Sequence, residues 1–316
     1  MERPKIGILL ATYNRAHLIH DTLDSISAQT YENWECIIVD DHSIDSTAEV
    51  VADYCEKDPR FSYFLKDESF SRGLSGSRNF GLTIAQTRKA EFIQFFDDDD
   101  IMHPKKLELQ ILPFLNDSKL AFTVCTFLGF DRIEDIDFNK NESDIPIESE
   151  HLAEDFLHSR IRINSAGPVF RACLFQVQKF DEDLRYGEEW ELFLRIFFKY
   201  KPEYLAIKKP LFYYRHHPWS ITARQDTKVE KIGTQFVIIQ KVWDFLEFHN
   251  LVTARSFPFF IKQFLFQNHN KIYLKKIQDQ LHKSDEINWF QKSKFRFVIY
   301  FHDFYLKIMK SILYKV

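Results

Sequence analysis

The chain has little with which to build a cross-linked or zinc-stapled scaffold. Its 316 residues include four cysteines, Cys36, Cys55, Cys125 and Cys173, far apart and with no Cys-x-x-Cys pair. That spacing excludes a zinc knuckle or a disulfide framework and fits a reducing compartment, so all four are expected as core or half-buried thiols. No stretch of eighteen uncharged apolar residues occurs, and the first apolar run, residues 6–11, is too brief for a membrane span or a secretory signal. A soluble, cytoplasmic protein is expected, with peripheral contact at the inner face of the membrane left open. There is no Gly-x-Gly-x-x-Gly and no Gly-x-x-x-x-Gly-Lys-Ser/Thr after the first apolar run, which disfavours the dinucleotide redox enzymes and ATPases built on those loops. No internal repeat, low-complexity segment or nucleic-acid recognition module is visible, and no nucleic acid is expected as a partner.

What is present is a chain of 45% hydrophobic residues, enough for one sizeable α/β domain with an appendage. Strand patterns at residues 5–11, 35–39, 61–65 and 92–96 alternate with helical patterns at 17–29, 46–54 and 78–87. This alternation predicts a largely parallel sheet flanked by helices, with ligands outside the carboxyl ends of the strands. Further on, a helix is expected over 105–114, a strand over 120–127 and an acidic surface loop over 134–150. A strand and short helix follow at 164–175, then a helix over 188–200 and a last strand over 210–215. From about residue 227 the pattern is helical throughout.

Charge divides the chain as well. Residues 255–316 carry 12 Lys/Arg against 4 Asp/Glu, while the first 254 carry 30 against 42. The basic tail is rich in Phe and Tyr. Three fates suit it: an anionic membrane surface, packing on the body, or a homodimer interface.

The feature that most needs explaining is Asp97-Asp98-Asp99-Asp100, directly after Phe95-Phe96. Four adjacent carboxylates raise one another's pKa unless a cation offsets them, and hard divalent ions completed by phosphate oxygens suit such a cluster. In an extended conformation Asp97 and Asp99 point to one side and Asp98 and Asp100 to the other. A solvated acidic turn is the bland alternative, and the EF-hand spacing of a calcium module is lacking. Upstream, Asp41 ends the second strand, where a carboxylate accepts from ribose hydroxyls or a base imide. Asp45 reads equally as a cap for the next helix.

The ordered set of motifs resembles family 2 of the inverting glycosyltransferases, which have the GT-A fold. The matching stretches are Ile8-Leu-Leu-Ala-Thr-Tyr-Asn-Arg15, Gln29-Thr-Tyr, Val39-Asp-Asp-His-Ser-Ile-Asp45, Gly76-Ser-Arg-Asn-Phe-Gly81 and Phe95-Phe-Asp-Asp-Asp-Asp100 before Pro104. The resemblance covers residues 5 to about 222. It implies a Rossmann-like αβα sandwich with a mainly parallel sheet in residues 1–225, of which 1–104 bind the nucleotide-sugar and 105–225 the acceptor. Residues 226–316 form a helical C-terminal extension. It also implies donor contacts from Ala11, Thr12, Tyr13, Arg15, Asp41, Arg78, Asp97 and Asp98, with Tyr13 beside the base. Asp99 is the implied direct ligand of Mn²⁺ or Mg²⁺, joined by Asp97 and His217, and Arg215 or a histidine neutralises the diphosphate.

An inverting transfer needs a carboxylate base on the acceptor side. The family shows Glu-Asp before an aromatic residue there, and this chain has Glu188-Glu189-Trp190. Glu189 stands at the position of the base, one methylene longer than Asp, with Glu188 as the alternative, while Glu191 faces elsewhere. Gly167 and Trp190 are expected beside the acceptor. The expected reaction is transfer from a nucleotide-diphospho-sugar, UDP favoured, to a saccharide or lipid-linked acceptor in bacterial surface polysaccharide or lipopolysaccharide synthesis. A nucleotidyltransferase and a non-catalytic sugar-nucleotide module are the competing classes.

Overall fold

Apolar runs bounded by turn residues form the strands, and amphipathic segments between them form the crossover helices. The computed structural model describes residues 3–217, 228–266, 271–283 and 289–313. The order opens with β1 (Ile6–Thr12), α1 (Ile19–Ser27), β2 (Trp34–Asp40), α2 (Thr47–Lys57), β3 (Phe61–Leu65), α3 (Leu74–Thr87) and β4 (Phe92–Asp97). It continues with β5 (Ile101–Met102), α4 (Lys106–Asn116), β6 (Leu120–Phe130), α5 (Leu152–Leu157), β7 (Pro168–Arg171), α6 (Glu188–Tyr200) and β8 (Glu203–Arg215). Four helices follow: α7 (Lys228–Phe248), α8 (Phe257–Phe266), α9 (Lys271–Lys283) and α10 (Trp289–Leu313).

The strands make one eight-stranded sheet in the order β3-β2-β1-β4-β7-β6-β8-β5. β3, β2, β1 and β4 run parallel, as expected of strands joined through helices. The remainder is different. β7 lies antiparallel to both β4 and β6, β6 and β8 are parallel, and β5 is antiparallel to β8. The sheet is therefore mixed: four of its seven strand pairings are parallel, in line with the expected mainly parallel sheet, and three short antiparallel pairings were not expected. The short β7 inserts between two strands that precede it in sequence, a long-range pairing that local periodicity does not encode.

The core forms where β2, buried along its whole length, and β1, buried except at Ala11, meet Ile19, Leu23 and Ile26 of α1. Two local differences from expectation stand out. Cys173 is exposed rather than half-buried, and the first half of β8, residues 203–209, extends the predicted strand by seven residues.

Two compact units divide the chain, 1–231 and 232–316. The predicted boundary at 225/226 falls outside the described residues. The second unit has its own aromatic centre, where the ring of Trp243 meets Phe257, Phe260 and Phe264 edge-on at 5.0–6.1 Å.

Candidate active site

The site begins with register. Thr12 pairs with Asp40 and Ala11 with Asp97, so β1, β2 and β4 all end at one rim and release their loops together. Asn14 lies in the left-handed region (φ 54°), which asparagine tolerates better than most residues. Its Oδ1 accepts from the amide of Ile44 at 2.8 Å, and its own amide donates to Ser43 Oγ at 2.8 Å, which clasps the first loop to the second. Asp40 and Asp45 are consumed in that clasp. Asp40 accepts from the amide of Ser43 (2.7 Å) and from Tyr63 OH (2.8 Å), while Asp45 accepts from the amides of Ala16 (3.2 Å) and Thr47 (3.1 Å) at the entry to α2.

Asp41 is the acidic residue of this stretch that faces the cavity. One carboxylate oxygen accepts from the amide of Gly73 at 2.6 Å, and the other pairs with Lys66. Lys66 is almost wholly buried, and its Nζ also donates to the carbonyl of Ser71 at 2.8 Å. Sequence reasoning missed this lysine. Its one local signal is a charge directly after the third strand, and its partner is 25 residues upstream.

The aspartate run does not keep strand alternation. β4 ends at Asp97, and Asp98 and Asp99 lie in a turn, so Asp97, Asp98 and Asp99 all line the same cavity. Arg15 braces two of them, with Nε donating to Asp98 Oδ1 (3.2 Å) and a terminal nitrogen 3.6 Å from Asp99. His217 Nε2 lies 2.9 Å from the same carboxylate oxygen of Asp99, Oδ2, that Arg15 approaches. Asp100 turns inward, where it is buried and accepts from the backbone amide of Arg215 at 3.1 Å. Arg215 itself points away from the cavity. Its guanidinium binds the carbonyl of Asp99 (2.8 Å) and the carboxylate of Asp21 (2.8 Å), which corrects its expected place on the diphosphate. The residues expected to follow His217 in this motif, through Thr222, lie outside the described residues.

Arg78 lies in the second turn of α3, and only 2% of its side chain is exposed. One terminal nitrogen donates to Asp97 (2.9 Å) and Ser165 Oγ (2.9 Å); the other donates to Glu188 (3.1 Å) and lies 3.9 Å from Glu189. The guanidinium also lies over the rings of Phe180 and Phe95. With these partners Arg78 is a strut between the aspartate strand and the α6 carboxylates. It borders the donor cavity, but its charge is already matched.

Gly187 caps α6 with φ 67°, a conformation that glycine adopts without strain, and the helix it opens delivers Glu188 and Glu189 to the cavity. The two glutamates differ. Glu188 is buried against Arg78, whereas 29% of the Glu189 side chain is open and its Oε2 accepts from the amide of Ser165 at 3.1 Å. Glu191 does face elsewhere, forked onto Arg195 at 2.6 and 2.7 Å. Trp190 lines the cavity, but Gly167 does not. Gly167 is buried at the start of β7, its carbonyl accepts from Gln110 (2.9 Å) and Lys106 (3.2 Å), and a Cβ there would sit 3.2 Å from the carbonyl of Cys125. The close approach it permits is to backbone, which corrects its expected place beside the acceptor.

These side chains enclose a cavity of about 560 Å³. Tyr13 stands at its mouth, 51% exposed; Ala11, Thr12 and Asp41 line it too, as do Asp97 to Asp99, which form its floor, and Glu189 and Trp190 from α6. A profile of glycosyl transferase family 2 matches residues 8–182, which contain the whole rim and its loops. The chain belongs to glycosyl transferase family 2. It is a glycosyltransferase.

Among relatives, the protein EpsH of Bacillus subtilis (strain 168) is 28% identical over 240 residues, 74% of this chain and 67% of EpsH. The GalNAc(5)-diNAcBac-PP-undecaprenol beta-1,3-glucosyltransferase of Campylobacter jejuni is 28% identical over 212 residues, 67% of this chain and 65% of that protein. Two longer Rickettsia relatives are matched over only 30% of their length. Staphylococcus aureus TarS 1–349 in complex with UDP shares the fold, with TM-score 0.59 and 18% identity over 90% of this chain and 79% of that one. The mannosyltransferase PcManGT of Pyrobaculum calidifontis, in complex with GDP-Man and Mn²⁺, gives TM-score 0.52 and 19% identity over 77% and 65% of the two chains.

The glycosyltransferase site has consequences for stability. Replacing Arg78 with Met strands Asp97 and Glu188 without their cation. The expected cost is about 3–5 kcal/mol, the range for breaking a buried ion pair from one side. Melting followed by circular dichroism should show a midpoint roughly 10 °C lower, and adding Glu188→Gln should restore part of it. A single variant that melts like the wild type removes the strut from the account.

Burial pushes the carboxyl of Glu188 up to about 7, with Arg78 opposing and Glu189 reinforcing the shift. Asp98 is likewise raised to about 7, by burial and then by Asp99. The folded protein therefore retains protons that the unfolded chain releases in the ordinary carboxylate range. Metal-free stability should fall as pH rises through that range to about 7, because the native state binds more protons there. Glu188→Gln is expected to flatten the fall in melting midpoint between about pH 5.5 and pH 8. An unchanged slope in that variant contradicts the assignment.

Proposed function

We propose that the protein transfers a sugar, with inversion, from a UDP-sugar to a hydroxyl of a saccharide or lipid-linked acceptor. The setting is bacterial surface polysaccharide or lipopolysaccharide synthesis on the cytoplasmic side of the membrane. The observation that carries this reading is one cavity lined by an exposed aromatic ring, a cluster of aspartates and a further carboxylate, Glu189, supplied by a different element, α6. The undecaprenol-linked substrate in the Campylobacter relative's name and the UDP bound to TarS are consistent with it.

Tyr13 offers its ring to the face of the base, and Asp41 receives an N–H from the base edge. As an ion pair with Lys66, Asp41 is an acceptor and not a donor, which suits the imide of uracil and opposes the bare ring nitrogen of cytosine. Among the described residues no three carboxylate or imidazole groups converge to hold an ion unaided, so in this reading Mn²⁺ or Mg²⁺ is completed by the donor's diphosphate. Asp99 and His217 Nε2 stand 2.9 Å apart, and 36% of the Asp97 side chain is open to the cavity. Asp99, Asp97 and His217 would hold the ion, with Asp98 kept beside them by Arg15. When bound, the ion supplies positive charge that stabilises the departing diphosphate.

Glu189 is the base in this reading. The acceptor oxygen forms a bond to the anomeric carbon as its proton passes to the Glu189 carboxylate, and the bond from that carbon to the diphosphate oxygen breaks, releasing UDP. The Ser165 amide holds the carboxylate in place. Glu188 serves as a positioning residue through Arg78, its carboxylate already engaged.

A panel of nucleotide-sugars, read by release of nucleoside diphosphate with and without Mn²⁺, tests the reading. UDP-sugars should be turned over and the rate should depend on the ion; turnover of none of the panel would overturn it. Lys66→Met should weaken UDP binding by on the order of tenfold, the worth of one charge-assisted hydrogen bond. The same variant should narrow the preference for UDP over CDP, both read by calorimetry. An unaltered preference would remove Lys66 from base selection.

A further inference from the structure

Among the described residues, an unusual surface lies far along the chain from the cavity residues, on α10. Trp289, Phe290, Phe297, Tyr300 and Phe301 are 79%, 72%, 65%, 73% and 56% exposed. At 3.6 residues per turn these five fall in one stripe, about 120° wide. The opposite side of α10 is its packing face: Ile299 is buried, and Phe295 stacks on Phe257 of α8 at 6.2 Å. Phe297 and Phe301 stack on each other at 5.8 Å, and Ser293 lies on the same face between Phe290 and Phe297. Its borders are basic, with Lys294 on one edge and Arg296 on the other, both exposed. Along its whole length α10 carries five Lys/Arg and a single acidic residue, Asp303.

We infer that this face of α10 lies on an anionic phospholipid surface. An aromatic stripe edged by cations is the arrangement that seats a helix in the plane of the headgroups, rings toward the acyl boundary and charges toward phosphate. No helix among the described residues is long and apolar enough to cross a membrane, so the contact is one of lying on the surface. Charge argues against a second copy as the occupant. A symmetric pairing through this face would set Lys294 and Arg296 against their own counterparts, with a lone acidic residue on the helix to offset them. The inference stands independently of the donor and base assignments.

Sedimentation of the full-length protein with vesicles tests it. Vesicles of phosphatidylcholine with about a third phosphatidylglycerol should carry the protein down, pure phosphatidylcholine much less, and added salt should reverse the binding. Phe290→Ser with Phe297→Ser and Phe301→Ser should lower anionic-vesicle binding at least about tenfold. Lys294→Glu with Arg296→Glu should do the same without removing a ring. Both variants should keep wild-type donor turnover, since neither changes a residue that lines the cavity. Failure of the wild type to sediment overturns the inference, as does equal binding to both vesicle types. So does a wild-type dimer in light scattering that the serine variant converts to monomer without any change in vesicle binding.

Discussion

Glu189→Gln is expected to lower kcat by on the order of 10²–10⁴, the usual contribution of a positioned base. The amide keeps the size of the side chain and can still lie beside the Ser165 amide, but it cannot take a proton. Donor affinity should stay within about twofold, because Glu189 comes from α6 and not from the β1 and β2 loops that supply the base-binding residues, and removal of a base acts on the chemical step. Glu188→Gln gives the contrast. Its carboxylate is engaged with Arg78, so its loss should appear in stability and pH dependence more than in turnover. A Glu188→Gln enzyme that is dead beside an active Glu189→Gln enzyme would reverse the two roles.

Asp99→Ala should be as severe by another route. Asp99 sits between Arg15 and His217 at the centre of the floor, and its removal takes away the central anionic ligand of the proposed ion site. Stabilisation of a departing diphosphate by a metal is worth several kcal/mol, so kcat/KM should fall on the order of 10³-fold. Binding of UDP in the presence of Mn²⁺ should weaken with it. The variant should remain folded: Asp99 is braced by partners that solvent or each other can satisfy, whereas Asp100, buried behind it, holds the backbone of Arg215. An Asp99→Ala protein that turns over donor at the wild-type rate would place the ion elsewhere or dispense with it.

Much of the donor side was legible in the sequence because its chemistry is local. Tyr13, Asp41 and Asp97 to Asp99 each follow a buried strand, and parallel strands in register bring such ends to one rim. Glu189 was legible from its place after Gly187 at the head of an amphipathic helix. What escaped depends on pairing between distant segments. Lys66 and Ser165 acquire meaning only from Asp41 and from Arg78 with Glu189. Arg78, expected as a donor contact, lines the cavity and also ties the aspartate strand to α6, because Glu188 arrives from 110 residues away to pair with it. The mixed sheet escaped for the same reason: β7 slots between β4 and β6 through hydrogen bonds that neither flanking sequence announces. The strand alternation assigned to the aspartates failed at one peptide, where the chain turns after Asp97.

Calorimetric titration of UDP into the wild type, Asp99→Ala and Glu189→Gln, each with and without Mn²⁺, bears most directly on a divided site. The account predicts that Mn²⁺ strengthens binding to the wild type and to Glu189→Gln alike, and has little effect on Asp99→Ala. If Mn²⁺ strengthened binding equally in all three, or if Glu189→Gln lost the effect and Asp99→Ala kept it, the division into a donor floor and a separate base would be contradicted.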